Sequence, residues 1–274
     1  MTGRVRGLPA ALGFVLVLAL LSGAAFWVQQ QVLDPARSRP AGAVTGTPDP
    51  DLVAPPDDGA APARSGQAGP GQVEPGRAGR SAARAPGGVP LVDAAWAAET
   101  AGKAGIPLPA LTAYGRATLM APEGCALGWT TLAGIGWVES QHGTIDGRTL
   151  GEDGVPSEPI LGPALDGGRF AAIPATPRSS RWHGNRDWDH AVGPLQFIPS
   201  SWRTWSADGD GDGTEDPHDL DDAALAAARY LCADGHDLAT GAGWSAAVFT
   251  YNHAEEYVAA VHAAATAYAQ RTTS

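Results

Sequence analysis

Apolar and polar positions fall into three regimes along the chain. Behind Arg4 and Arg6, an uncharged run from Leu8 to Val28 is rich in Leu, Val and Ala. At about 1.5 Å per residue, such a run spans a bilayer core of roughly 30 Å. The small residues Ser22-Gly23-Ala24-Ala25 also offer a peptidase site, so the run reads as an anchor or as a cleaved signal peptide. From residue 29 to 89, Pro, Gly and Ala dominate, with scattered Arg and Asp and no apolar period. That composition cannot bury enough surface to fold and reads as a linker.

From Leu91 the period becomes helical. The pattern predicts helices over Leu91–Gly105, from Ile106-Pro107-Leu108 onward, over Trp129–His142, Ala223–Ala233, Gly243–Tyr251 and Ala254–Gln270. Pro107 suits a first turn, Gly143 closes the third helix, and Asp221-Asp222 are placed to cap the fourth. No strand alternation stands out. A Gly/Pro/Asp-rich stretch between His142 and Val192 is too long for an ordinary connection and predicts a structured loop. Three segments follow: 1–28 anchor or signal, 29–89 linker, 90–274 a mainly α head.

Composition sharpens this. The 18 basic against 29 acidic side chains leave a formal charge of −11, a poor basis for holding nucleic acid by its phosphates. The chain has no Phe, Tyr or Trp between Gln29 and Pro90, so the core must come from the head. Positive residues ahead of the apolar run send everything after Val28 out of the cytoplasm. There the only two cysteines, Cys125 and Cys232, are most simply a disulfide.

In the third helix, Leu132, Ile135, Gly136 and Glu139 fall at i, i+3, i+4 and i+7, which sets the carboxyl on the apolar face. Burial disfavours its charged form and raises its pKa, as a general acid near neutrality requires. Gly134 and Gly136 leave room for another backbone or a ligand. A tight turn, Gly193-Pro194-Leu195-Gln196, and Tyr251-Asn252 at a helix end supply amides and a phenol suited to sugar hydroxyls. Asp187 and Asp189 are acidic neighbours of the turn, suited to a turn-and-cap role, a sugar contact or a second carboxylate. Trp182 and Trp188 stack on sugars or anchor the loop.

Asp208-Gly209-Asp210-Gly211-Asp212-Gly213-Thr214 matches the opening of an EF-hand loop, with oxygens at positions 1, 3 and 5, Gly at 6 and a backbone carbonyl at 7. Position 12 is Asp219 in place of the usual Glu. Three aspartates alternating with glycines repel one another without a cation, and oxygen-only donors favour Ca²⁺.

Glu139-Ser140, Gly193-Pro194-Leu195-Gln196 and Tyr251-Asn252, in that order, resemble the lytic transglycosylases of bacterial cell walls. The Gln-Phe-Ile-Pro-Ser-Ser run from Gln196 and the Tyr251–Val258 segment are most similar to the membrane-bound lytic transglycosylase B branch. The resemblance covers about residues 90–270 and implies a lysozyme-like helical fold acting on peptidoglycan glycan strands. It implies cleavage of the β-1,4 bond between N-acetylmuramic acid and N-acetylglucosamine, with a 1,6-anhydro product. Glu139 would be the acid and base, with Ser140, Gln196, Tyr251 and Asn252 at the substrate. It also implies a calcium loop of Asp208, Asp210, Asp212 and Thr214 whose closing acid comes later, at Asp222. Two alternatives stand beside it: a muramidase using Asp189 as second carboxylate, and a wall-binding scaffold without turnover.

Overall fold

The computed structural model describes residues 88–168 and 170–273. The expected anchor at 8–28 and the linker up to residue 87 lie outside them. Among the described residues no helix is long and apolar enough to cross a membrane.

The head is mainly helical, in the order α1 (Ala94–Ala104), α2 (Leu108–Leu119), α3 (Trp129–Ser140), β1 (Leu161–Ala164), α4 (Ser180–His183), β2 (His190–Val192), α5 (Pro199–Trp205), α6 (Leu220–Leu231), α7 (Gly241–Tyr251) and α8 (Glu255–Thr273). Helix starts follow local chemistry. Asp93 accepts from the backbone N–H of Trp96 and caps α1, and Pro107 leads into α2. The cap of α6 is Asp219, which accepts from the N–H of Asp221; the expected Asp221 and Asp222 lie inside the first turn and do other work.

Helix α3 is the axis of the head. Trp129 to Gly136 are all buried, and the helix packs against α8, α2 and α6. Its glycines explain how closely. A Cβ on Gly134 would come within 2.7 Å of the Val261 carbonyl oxygen in α8, and one on Gly136 would strike the Tyr114 hydroxyl of α2. Leu111, Leu132, Leu195, Leu225 and Tyr257 join these helices in one core. Two bonds tie the outer elements down. Cys125 and Cys232 form a disulfide between the α3 approach and the end of α6, and Arg116 of α2 pairs with Asp221 of α6.

The described residues of the 143–192 stretch hold the strands that showed no alternation in the sequence. β1 and β2 pair antiparallel, with Leu161 opposite Val192 and Ala164 opposite His190. Isolated bridges extend the pairing from Pro174–Trp188 at one end to Val192–Phe197 at the other. These strands are only three or four residues long, and β1 is half-exposed, so no alternating pattern could announce them.

Candidate active site

Glu139 occupies the last full turn of α3, on the side that faces α8. It is buried, and Tyr257 of α8 donates a hydrogen bond to its Oε1 at 2.7 Å. The second oxygen makes no hydrogen bond within the described residues, and Glu139 belongs to the wall of a cavity of about 80 Å³. Burial pushes the carboxyl from an ordinary 4.5 up to about 7, against the opposing pull of the Tyr257 hydroxyl. Burial also holds the Tyr257 phenol well above its usual range, so it remains a donor.

Gln196, Ser201, Tyr230, Tyr251, Asn252 and His253 share that wall with Glu139, so three segments distant in sequence converge on it. Glu139 is the sole carboxylate among the described residues of the wall. Gln196 and Tyr251 are held by the backbone of the turn. Gly193 turns the chain at φ +77°, and a Cβ there would collide with the Pro217 carbonyl. Gln196, itself at φ +51°, donates from its amide to the Gly193 oxygen at 2.9 Å. Tyr251 donates to the Leu195 carbonyl at 2.8 Å, which fixes the phenol against the same turn. Asn252 is buried, and its Oδ1 has no hydrogen-bond partner among the described residues.

An aromatic file leads along the site. Trp205 stacks on Tyr230, Tyr230 meets Tyr251, and Tyr251 lies parallel to Tyr257. Neither Tyr230 nor Tyr257 was among the expected site residues. Tyr257 follows Tyr251 by six positions, and only the bend between α7 and α8 brings its hydroxyl onto Glu139.

The chain leaves α3 abruptly. Gln141, His142 and Gly143 all have positive φ, of which only the glycine is at ease there. Ser140 is not on the cavity wall: its hydroxyl donates to the Pro194 carbonyl and accepts from the Gly143 N–H, linking the end of α3 to the Gln196 turn. His142 is clamped between the hydroxyls of Tyr114 and Tyr268, at 3.0 and 2.8 Å. Burial drives its pKa down to about 3, so the ring is neutral, with one nitrogen donating and the other accepting.

Asp189 lies elsewhere. It is buried beneath the loop, 3.1 Å from His183 Nε2, and is absent from the wall around Glu139. The Asn185 N–H donates to the other nitrogen of His183, so Nε2 carries the proton given to Asp189. Asp187 is exposed in the turn made by Asn185. Trp182 and Trp188 belong to the same loop, where Trp182 packs on the core and under the Arg178 guanidinium.

In the acidic loop, carboxylate oxygens of Asp208, Asp210 and Asp222 all lie within 4.8 Å of one another. Asp208 accepts from the N–H groups of Gly211 and Gly213, and Asp222 from those of Gly209 and Asp216. Asp219 is committed to its cap. Asp212 accepts from the Thr214 N–H, and both are exposed and outside the cluster. Burial chiefly, and also Asp210 and Asp208, push Asp222 up to about 7. Three hard oxygen donors clustered this closely fit a divalent cation.

Residues 180–269 match a family model described as the Transglycosylase SLT domain. The matched segment takes in Gln196, the acidic loop, Tyr251, Asn252 and Tyr257, and it begins after Glu139. Among solved structures, the chain is similar to the Escherichia coli lytic transglycosylase Slt35 in complex with bulgecin A. The identity is 16%, over 67% of this chain and 77% of that one, with a TM-score of 0.41. No curated protein matches the sequence.

Proposed function

We propose that this chain is a lytic transglycosylase of peptidoglycan, of the membrane-bound lytic transglycosylase B kind, with Glu139 as its one acid and base. The observation that carries this is the lone carboxyl of the cavity wall, with one oxygen held by Tyr257, the other without a protein partner, and a pKa near neutrality. Protonated Glu139 gives its proton to the oxygen leaving the muramyl C1. As a carboxylate it then takes the proton of the muramyl C6 hydroxyl while that oxygen bonds to C1. The proton gained balances the proton given, and no water is consumed. Hydrolysis by two carboxyl groups needs a second acid within about 5–10 Å of the first; Asp189 is engaged with His183 instead. Gln196, Tyr251 and Asn252 supply polar contacts, and the tyrosines supply faces for pyranose rings.

The acidic loop supports a structural calcium site built on Asp208, Asp210 and Asp222, with Asp212 and the Thr214 carbonyl as further oxygens. Its ion would fix the chain between the Gln196 turn and α6. A disulfide between Cys125 and Cys232 suits an oxidising compartment, which supports a head outside the cytoplasm, held by residues 8–28 or secreted after their removal.

Digestion of purified peptidoglycan in ¹⁸O-labelled water tests the reading. Anhydro-muramyl ends without label are expected. Labelled reducing ends would mean hydrolysis, and no released muropeptides would leave only a wall-binding scaffold.

A further inference from the structure

The arginines of the 143–192 loop are distributed against the charge of the whole chain. From Gly167 to Arg186 there are four arginines and no carboxylate, in a chain of net charge −11. Elsewhere in the head, Arg116 and Arg148 are paired with aspartates and Lys103 with Glu99. Arg178, Arg181 and Arg186 enter no such pair among the described residues. Arg178 lies over the Trp182 ring; among the described residues Arg181 donates only through Nε to the Arg178 carbonyl, and Arg186 makes no side-chain hydrogen bond.

Arg181 and Arg186 line a single concavity of about 600 Å³ with Thr176, Ser180 and Gly184. Its base is rigid. His183, at the end of α4, is pinned to Asp189 on one side and to the Asn185 N–H on the other. His190 donates to the Gly162 carbonyl and accepts from the Asn185 amide. Thr176 and Ser179 exchange four hydrogen bonds at the start of the short helix. Among the described residues the two guanidinium forks meet no carboxylate.

The segment that carries the concavity is tied by backbone pairing to the Gln196 turn of the cleft. Backbone bonds run from Ala175–Asp187 through Ile173–Asp189 to Val192–Phe197, one residue from Gln196. Five residues separate Arg186 from Val192, so their Cα atoms lie at most about 20 Å apart.

We infer that Arg181 and Arg186 form a carboxylate subsite for the peptide stems carried by the muramyl sugars of the glycan strand. This rests on the peptidoglycan reading and extends it from the sugar to its side chain. The muramyl lactyl group bears a peptide with free carboxylates, and a peptide of four or five residues reaches about 15 Å from its sugar. Arginine presents a planar fork that matches a carboxylate in two parallel bonds, and Thr176 and Ser180 offer hydroxyls to peptide amides.

The test uses the full chain carrying Glu139→Gln, so that strands are bound and not cut. Three soluble, phosphate-free strands serve as probes: peptide-bearing, the same with carboxylates amidated, and stripped of peptide. Arg181→Ala with Arg186→Ala should weaken binding of the first about five- to tenfold and flatten its salt dependence. Binding of the other two should not change. Arg181→Lys with Arg186→Lys should keep the salt dependence and recover only part of the affinity. Equal loss on all three probes, or none on the first, overturns the subsite. The underlying reading fails differently: the parent chain then binds no stripped strand, and the chain with Glu139 intact releases no muropeptides.

Discussion

Glu139 joins a local cause to a global one. Its i+7 spacing from Leu132 already sets it on an apolar face, but the pKa of about 7 also depends on α8 closing over it and on a phenol delivered from residue 257. Folding pays for that acid. Between about pH 4.5 and 7 the unfolded chain ionises this carboxyl while the folded chain keeps its proton. The unfolded state binds fewer protons there, so stability falls as pH rises, by roughly 3 kcal/mol in all. Glu139→Gln should therefore match the parent at pH 4 and exceed it by up to about 3 kcal/mol at pH 8 in urea unfolding, with activity abolished. A stability difference that stays flat with pH would assign Glu139 an ordinary pKa. Tyr257→Phe removes a donor that favours the carboxylate, so the alkaline limb of the pH–rate profile should move upward and kcat should fall. An unmoved limb would show that the 2.7 Å contact does not act on the acid.

At the scale of elements, glycine distinguishes the site helix from its neighbours. Gly102 in α1 has open space around its Cβ position, whereas that of Gly136 in α3 is occupied by Tyr114, which also holds His142. Ala is the better helix former by roughly 1 kcal/mol. Gly102→Ala should stabilise the head by up to that amount. Gly136→Ala should destabilise it by about 1–3 kcal/mol through overpacking. Thermal unfolding of the pair reads the sign directly, and stabilisation by both would mean that α2 and α3 are not so close. The long loop belongs to this scale too. Its bounds were legible in its Gly, Pro and Asp content, but its strands were not, because each gains order from a partner far along the chain.

For the whole molecule, the acidic loop and the disulfide brace opposite ends of α6. Asp222 sits in the first turn of α6 and Cys232 just past its last. If calcium binds at about a hundredfold above its dissociation constant, it adds about 2.7 kcal/mol to the folded state. Chelation with EGTA should then lower Tm by about 5–10 °C in a head of this size, reversibly on adding calcium. Asp222→Asn should remove most of that response, while Asp212→Asn should remove less. A Tm indifferent to EGTA would leave the loop as a self-bonded acidic turn.

The sequence by itself determined the mainly helical head, the positions of its six longer helices within a few residues, the apolar placement of Glu139 and the pairing of two lone cysteines. These depend on periodicity, on caps such as Asp93 and on counting, all of which act locally or allow few alternatives. The order of Glu139-Ser140, Gly193–Gln196 and Tyr251-Asn252 was legible as well. Only the tertiary structure decided which of these side chains meet. It set Tyr257 on Glu139, turned Ser140 toward the Pro194 carbonyl, drew Asp189 away to His183, and chose Asp222 over Asp219 for the acidic cluster because Asp219 caps α6. Such contacts join residues as far as 118 positions apart. No local pattern encodes them, because each is selected by how helices with glycine-thinned surfaces pack and by which polar groups still lack a partner once they have.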